Sequence, residues 1–208
     1  MTAEQAETFS RCMAVGGVAV FPADTVYGLA CDPDTPEAVR RLYGLKGRRP
    51  DKPAAVMFFS LPAALTALPE LGVRTRAALA ALLPGGVTLL LPNPESRFPL
   101  ACASDPATLG LRVPALPALA TVEVPVLQTS ANHAGGADAR RLAEVPRPIR
   151  DGADLVLDAG ALPGTPSTVI DLRAYEHAGE WRVLRSGAVP VAAVGTVLDP
   201  PSSGDQRP

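Results

Sequence analysis

The densest group of charged side chains in the sequence lies in the segment KGRRPDKP, residues 46–53, where four cations and one carboxylate share eight positions. Clustered cations repel one another unless an anion neutralises them. Arginine offers a planar fork of N–H donors and lysine a mobile point charge, so together they suit a ligand rich in phosphate. A solvated loop of charges is the alternative interpretation, and the segment alone leaves it open.

A further cation lies inside an apolar run, TLGLRVP at 108–114. If this run is a strand, its alternation places Thr108, Gly110 and Arg112 on one face and the leucines on the other. An arginine on an otherwise apolar strand is costly unless it meets an anion. That anion is either a carboxylate of the protein or a ligand, and the sequence does not decide between them.

Small polar side chains gather where predicted strands end. PADTVYG at 22–28 places an aspartate, a hydroxyl and a tyrosine in a turn, QTSAN occupies 128–132, and STVID at 167–171 leads towards Arg185. Hydroxyl and amide groups in such places bind sugars, carboxylates or phosphates, but they also cap turns. The ends of buried strands are the usual location of sites in α/β proteins.

Several common kinds of site are excluded by their motifs. The sequence contains no G-x-x-x-x-G-K-[ST], no G-x-G-x-x-G after its first strand, no H-E-x-x-H and no G-x-S-x-G. His133 and His177 have no evident pairing partner, and the cysteines Cys12, Cys31 and Cys102 are far apart. We therefore expect no histidine-based triad, no zinc site and no disulfide framework.

Composition describes a protein with a substantial core. Of 208 residues, 47% are hydrophobic, and 19 basic against 21 acidic residues give a net charge of −2. This balance excludes a polybasic nucleic-acid arm and wholesale disorder. We expect one domain over residues 1–198 and a disordered polar tail at 199–208. The acidic N-terminal segment lacks the basic region of a signal peptide, and no apolar run is long enough to span a bilayer, so we expect a cytoplasmic protein.

Strand-like and helix-like runs alternate along the chain, which predicts an α/β fold with an open mixed sheet flanked by helices. Predicted helices cover 3–15, 36 to 44 or 47, 61–68, 73–83, 116–122 and 138–145. Predicted strands cover 18–21, 54–59, 87–91, 108–113, 124–129, 155–158, 168–172 and 181–184.

Taken in order, the polar and charged segments resemble the threonylcarbamoyl-AMP synthase family, of YrdC-type fold, in its short single-domain form. The matching stretches are PADTVYGLACD (22–32), KGRRPDKPAAVMF (46–58), LLPGGVTLLL (82–91), LGLRVP (109–114), QTSANHAGG (128–136), STVIDL (167–172) and VLRSGAV (183–189). The resemblance implies an open, twisted, mixed α/β sheet with a concave, positively lined cavity.

The activity implied by the resemblance is that of a nucleotidyltransferase. It joins L-threonine, bicarbonate and ATP into L-threonylcarbamoyl-AMP and releases pyrophosphate, for the N6-threonylcarbamoyladenosine modification of tRNA position 37. The resemblance further implies Mg²⁺ accompanying ATP, no resident metal, and partner proteins of tRNA modification. It also brings tRNA or double-stranded RNA into consideration as a direct partner. No residue of the motifs is assigned as an acid or base.

Residue roles follow from the same resemblance, position by position. ATP would contact Lys46, Arg48, Lys52, Thr108, Ser130, Asn132 and Arg185. Threonine would contact Thr25, Arg112, Gln128 and Ser167, with its carboxylate on Arg112.

The chain departs from the family's usual residues at Ala23, at Met57 and in the HAGGAD loop after Asn132. These positions lie close to the implied binding sites. Two alternatives therefore stay open. The chain could be an RNA-binding module of the same fold without synthase activity, or a paralogue that handles carbamoyl-adenylate.

Overall fold

A computed structural model describes residues 1–199, which form a nine-stranded sheet flanked by helices. The strands are β1 Val18–Pro22, β2 Tyr27–Cys31, β3 Ala55–Met57, β4 Val87–Pro92, β5 Thr108–Arg112, β6 Val126–Ser130, β7 Leu155–Val156, β8 Thr168–Asp171 and β9 Arg182–Arg185. The helices are α1 Ala3–Ala14, α2 Pro36–Lys46, α3 Leu61–Ala67, α4 Val73–Leu82, α5 Pro99–Cys102, α6 Arg147–Gly152, α7 Tyr175–Ala178 and α8 Val191–Leu198. Short 3₁₀ turns occupy Pro117–Leu119 and Leu142–Glu144.

The sheet is mixed, as the sequence predicts. Its strand order is β7-β1-β2-β6-β3-β5-β4-β8-β9. The pairs β1/β7, β3/β5 and β4/β8 are parallel, and the other neighbours are antiparallel. The central strands thus come from distant parts of the chain, which brings the ends of separate sequence motifs together.

Strand alternation sorts the buried side chains into two layers. On one face, Leu89, Leu111 and Leu127 belong to the larger core, which also contains side chains from α2, α3, α4, α6 and α8. On the other face, Phe21 and Met57 belong to a smaller core with side chains of α1.

The second face of the sheet is only partly covered by α1. On this face, Met57 of β3 lies beside Arg112 of β5, and Thr88 of β4 lies beside Val169 of β8. Arg112, Thr88 and Val169 line a cavity instead of packing under α1. The half of this face formed by β6, β3, β5, β4 and β8 is therefore where a ligand can reach the sheet.

Some predicted elements are wrong. The segment 138–145 is not a helix beyond the 3₁₀ turn Leu142–Glu144. There the amide of Arg140 donates to Glu144 Oε2 (2.8 Å), and its carbonyl accepts from the amide of Leu162 (2.8 Å). Neither backbone group therefore makes the hydrogen bond of an α-helix. Residues 116–122 likewise hold only the 3₁₀ turn Pro117–Leu119.

The sequence also missed β2, α8 and the short helices α5, α6 and α7. Strands β1 and β2 are both fully buried, but β2 has the sequence YGLAC, whose glycine and alanine are depleted in strands and do not mark one. Helix α8 is rich in β-branched valine and begins directly after Pro190, a composition that does not favour a helix by propensity. Its burial of Val194 and Leu198 against the larger core supplies the stabilisation instead.

The tail expected at 199–208 lies outside the described residues except for Asp199. That carboxylate accepts a hydrogen bond from Trp181 Nε1 at 2.9 Å. Within residues 1–199, each helix is too short or too polar to cross a lipid bilayer.

Candidate functional site

A cavity of about 630 Å³ lies on the uncovered half of the sheet face. Its floor contains one residue from each of five strands: Ala55, Thr88, Arg112, Gln128 and Val169. Its walls are loops and the ends of neighbouring helices and strands. They contribute Thr25, Val26, parts of the segments 46–54 and 130–138, Pro166, Ser167 and Arg185. A stiff floor and irregular walls are the arrangement in which α/β proteins position ligands.

Positive charge dominates this cavity. The cations that line it are Lys46, Arg48, Arg49, Lys52, Arg112 and Arg185. Asp138 is the one carboxylate among its lining residues in the described part of the chain. Because the whole chain carries a net charge of −2, this local excess of cations runs against the overall balance. Such a field favours anionic ligands such as phosphates and carboxylates.

Lys46 ends α2 and reaches into the wall of the cavity. Its buried ammonium donates to the carbonyls of Ser130 (2.7 Å) and Asn132 (3.0 Å) and to Asn132 Oδ1. Burial lowers the pKa of Lys46 to about 8, Arg48 adds to this shift, and Asp138 opposes it. The contacts attach the end of α2 to the segment that follows β6.

Asn132 extends this network to the rim of the cavity. Its Oδ1 accepts from Ser130 Oγ (2.8 Å), and its Nδ2 donates to the carbonyl of Gly136 (2.6 Å) and to Asp138 Oδ1 (3.2 Å). The amide of Ala134 donates back to the carbonyl of Lys46 (2.9 Å). The loop 130–138 is therefore held by side chains that also face the ligand space.

Arg112 lies on the floor in a buried ion pair. Its Nη2 donates to Asp24 Oδ1 (2.7 Å), its Nη1 donates to Gln128 Oε1 (3.3 Å), and the ion-paired side chains are 4% and 9% exposed. Burial lowers the pKa of Arg112, and the Asp24 carboxylate opposes that shift. The protein carboxylate that the sequence left as one of two possible anions is thus present.

Two polar atoms of this floor remain without a protein partner. Arg112 Nε and Thr25 Oγ1 are buried, and neither has a hydrogen-bond partner among residues 1–199. Buried donors are rarely left unsatisfied in native proteins. Both belong to residues that line the cavity. A ligand with an acceptor such as a carboxylate would satisfy Arg112 Nε.

Asp24 is the residue whose role the sequence did not assign. It has a backbone φ of 62°, in the left-handed region that aspartate and asparagine tolerate better than other non-glycine residues. Besides Arg112, its carboxylate accepts from the amide of Ala115 (3.2 Å). An aspartate in a turn is too common to indicate a buried ion pair, and the cationic partner of Asp24 lies 88 residues away along the chain.

Ser167 and Arg185 form another part of the wall. Arg185 Nη2 donates to the carbonyl of Ser167 (2.8 Å), and Ser167 Oγ is 2.7 Å from Thr88 Oγ1. A Cβ on Gly187 would lie 2.2 Å from the carbonyl oxygen of Pro166. The glycine that follows Arg185 in the motif RSG therefore permits the close approach of two chain segments.

The structure brings together all but one of the predicted site residues. Those that line the cavity are Thr25, Lys46, Arg48, Lys52, Arg112, Gln128, Ser130, Asn132, Ser167 and Arg185. Thr108 is not among the lining residues. It lies at the opposite end of β5 from Arg112, and its hydroxyl accepts from Arg173 Nη1 (3.3 Å), which is itself paired with Asp171. This placement does not support the predicted contact between Thr108 and a nucleotide.

The fold and the cavity together define an α/β protein with a cation-lined binding site on one face of a mixed sheet. The sequence pattern of the Sua5, YciO and YrdC family, described as telomere recombination, matches residues 11–187. The chain belongs to this family.

Named relatives agree with this membership. A protein of Pseudomonas aeruginosa strain UCBPP-PA14 named threonylcarbamoyl-AMP synthase is 34% identical over 176 residues, which is 81% of this chain and 92% of that one.

Solved structures show the same fold. The structure of Pyrococcus abyssi Sua5 complexed with L-threonine matches with a TM-score of 0.83 and 26% identity, covering 95% of this chain. This chain spans 58% of that longer protein. Escherichia coli YciO matches with a TM-score of 0.79 and 23% identity over 93% of this chain and 94% of its own, a likeness of fold alone.

The buried pair of Arg112 and Asp24 makes a prediction about stability. We expect Asp24→Asn, which tolerates the same backbone conformation, to lower the free energy of unfolding by about 3–5 kcal/mol because it leaves a buried guanidinium without its counter-ion. Urea denaturation followed by circular dichroism measures this loss. Asp51→Asn, which breaks the exposed pair with Arg49, is the control and should leave stability nearly unchanged, because exposed ion pairs contribute little. Equal effects of the two variants would contradict the structural role of Asp24.

Proposed function

We propose that this chain is an L-threonylcarbamoyl-AMP synthase, which converts ATP, L-threonine and bicarbonate into L-threonylcarbamoyl-AMP and pyrophosphate. The observation that carries the proposal is the convergence of cations from three separate sequence segments on one cavity, in a member of this family. The named relatives and the threonine complex of the archaeal structure support the same activity.

In this proposal the floor of the cavity binds threonine. Arg112 Nε would donate to the amino-acid carboxylate, and the unpartnered hydroxyl of Thr25 would bond to another polar group of the same ligand. Gln128 and Ser167 line the adjacent part of the cavity. Asp24 holds the guanidinium in place through its own ion pair, so the arginine is positioned before the ligand arrives.

We assign the ATP phosphates to the cavity wall formed by the basic segment 46–53, which we call the cationic wall. Lys52 is exposed, and within the described residues its ammonium makes no hydrogen bond or ion pair, so it is available to a phosphate. Arg48 donates to the carbonyls of Lys52 and Pro53, which shapes the loop, and Arg49 is paired with Asp51. Ser130, Asn132 and Arg185 would complete the nucleotide contacts from the facing wall.

The protein's part in the proposed reaction is binding, orientation and electrostatics. The threonine amine and bicarbonate form a carbamate and release water. A carbamate oxygen then attacks the α-phosphorus of ATP, and pyrophosphate leaves. The floor holds the amino acid and the wall holds the phosphates, which replaces an encounter between two free molecules by a reaction within one complex. Fixed cations stabilise the charge that develops on the phosphates.

We further propose that ATP is used with Mg²⁺, which would supply additional charge neutralisation. The oxygen donors of the cavity, hydroxyls and one carboxylate, are of the kind that a hard cation binds. The product would serve the N6-threonylcarbamoyladenosine modification of tRNA position 37 in the cytoplasm. That role requires a partner enzyme that transfers the threonylcarbamoyl group.

A pyrophosphate-release assay tests the activity directly. With ATP, Mg²⁺ and bicarbonate present, we expect release to depend on L-threonine and to be low with the other common amino acids. Arg112→Lys keeps a cation beside Asp24 but loses the guanidinium donors, so the threonine concentration at half-saturation should rise about tenfold or more, as for a lost charge-assisted hydrogen bond. The half-saturating ATP concentration should stay within about twofold. Equal losses for both substrates would contradict the proposed threonine contact, and release without threonine would contradict the activity.

Lys52 tests the placement of the phosphates. We expect Lys52→Ala to weaken ATP binding by about 1–3 kcal/mol, the range for hydrogen bonds to charged groups. Calorimetric titration with ATP in the absence of threonine measures this change. Arg147→Ala removes an exposed cation that does not line the cavity and serves as the control. An unchanged ATP affinity in Lys52→Ala would contradict the placement of the triphosphate at this wall.

The lowered pKa of Lys46 predicts how nucleotide binding depends on pH. An anionic ligand favours the ammonium form, so binding must raise the pKa of Lys46 above its free value of about 8. ATP affinity should therefore be greatest below about pH 8 and fall as the pH rises past it.

Carbon-13 NMR of labelled lysine side chains provides the measurement for Lys46. Titration of the free protein should give one lysine midpoint near 8, and that midpoint should move upward when ATP is bound. A midpoint near the ordinary value of 10.5 in the free protein, or one that ATP does not move, would contradict the prediction.

A further inference from the structure

Asp138 is an unexpected residue in a cavity lined mainly by cations. It is the single carboxylate among the lining residues that the structure describes, whereas six cations line the same cavity. Its Oδ1 accepts from Asn132 Nδ2 (3.2 Å), and no hydrogen bond or ion pair to Oδ2 occurs within residues 1–199. One carboxylate oxygen is thus held by the protein, and the other remains available.

The network around Asn132 places Asp138 on the phosphate-binding side of the cavity. Asn132 contacts both Lys46 and Asp138, and Arg48 lies two residues after Lys46 in the basic segment 46–53. Arg112 belongs to a separate set of contacts, with Asp24 and Gln128. The carboxylate is therefore associated with the wall assigned to phosphates.

A carboxylate and a triphosphate in one cavity repel each other unless a cation lies between them. Mg²⁺ is suited to that position because it takes oxygen ligands, keeps several waters, and is commonly bound by one or two carboxylates together with substrate phosphates. The amino group of threonine is the other cation that the proposed reaction brings. The association of Asp138 with Lys46 favours the metal ion.

We propose that Asp138 binds the divalent cation that accompanies the nucleotide, either directly or through a bound water, while the phosphates complete its coordination. The inference rests on the proposed function for the identity of the nucleotide. It assigns to Asn132 a positioning role, because the amide of Asn132 holds the carboxylate beside Lys46.

The test is a comparison of ATP affinity with and without metal, in wild type and Asp138→Asn. Asparagine has the same shape and retains an oxygen that accepts from Asn132. Calorimetric titrations are made in EDTA and in excess Mg²⁺, without threonine or bicarbonate, so that no turnover occurs. In EDTA the variant should bind ATP more tightly than wild type, because a repulsive charge is removed.

Mg²⁺ should reverse that order. We expect Mg²⁺ to raise the ATP affinity of wild type about tenfold more than that of Asp138→Asn, within the usual range of coupling between two ligands. Asp51→Asn removes a carboxylate from the neighbouring basic loop, where it is paired with Arg49, and should keep the wild-type response to metal. The same gain from Mg²⁺ in wild type and Asp138→Asn would overturn the proposal. So would a rise in half-saturating threonine without any change in metal response, because Asp138 would then bind the amino group.

A measurement on the wild-type protein does not depend on the folding of a variant. Mn²⁺ with ATP should broaden the amide resonances of Gly135, Gly136 and Asp138 beyond the effect of Mn²⁺ alone, because the paramagnetic ion would lie beside this loop. Unbroadened resonances in the ATP complex would overturn the proposal. Metal-linked ATP binding without threonine-dependent pyrophosphate release would retain the role of Asp138 and reject the synthase, so the two failures are distinguishable.

Discussion

The burial of one ammonium group determines how this cavity is shaped. Lys46 lies at the end of α2, and its hydrogen bonds go to backbone and side-chain oxygens of the segment that follows β6. A buried ammonium without such acceptors would be strongly destabilising. The helix end, the segment 130–138 and the basic loop 48–53 are consequently fixed relative to one another, and both polar walls of the cavity depend on that contact.

Some charged groups of the site are paired within the protein, whereas others have donors that are available to a ligand. Arg112 is paired with Asp24 and bonded to Gln128, yet its Nε has no partner among the described residues. Lys52 is likewise uncommitted in the described part of the chain. A folded chain with a net negative charge retains these unpaired donors on one face, which is consistent with a ligand carrying both a carboxylate and phosphates.

The sequence predicted the fold class and most of the cavity because both depend on local signals. Continuous apolar runs marked most central strands, and the cationic loop and Arg112 were anomalous for their surroundings. Contacts between distant residues could not be predicted in the same way. The sequence near Asp24 does not indicate its partner, which lies 88 residues away. Thr108 shares a strand face with Arg112 but lies at the opposite end of β5, where it contacts Arg173. Strand β2 was missed because its sequence YGLAC contains glycine and alanine, which are depleted in strands, and so did not mark a strand.

The left-handed backbone of Asp24 has an evolutionary consequence. Chain geometry at this position admits glycine, asparagine and aspartate most readily. Neutralising the guanidinium across the sheet requires an acidic side chain, which only aspartate or glutamate provides. Aspartate alone meets both demands, so this position should tolerate almost no substitution during divergence, even though its side chain does not line the cavity.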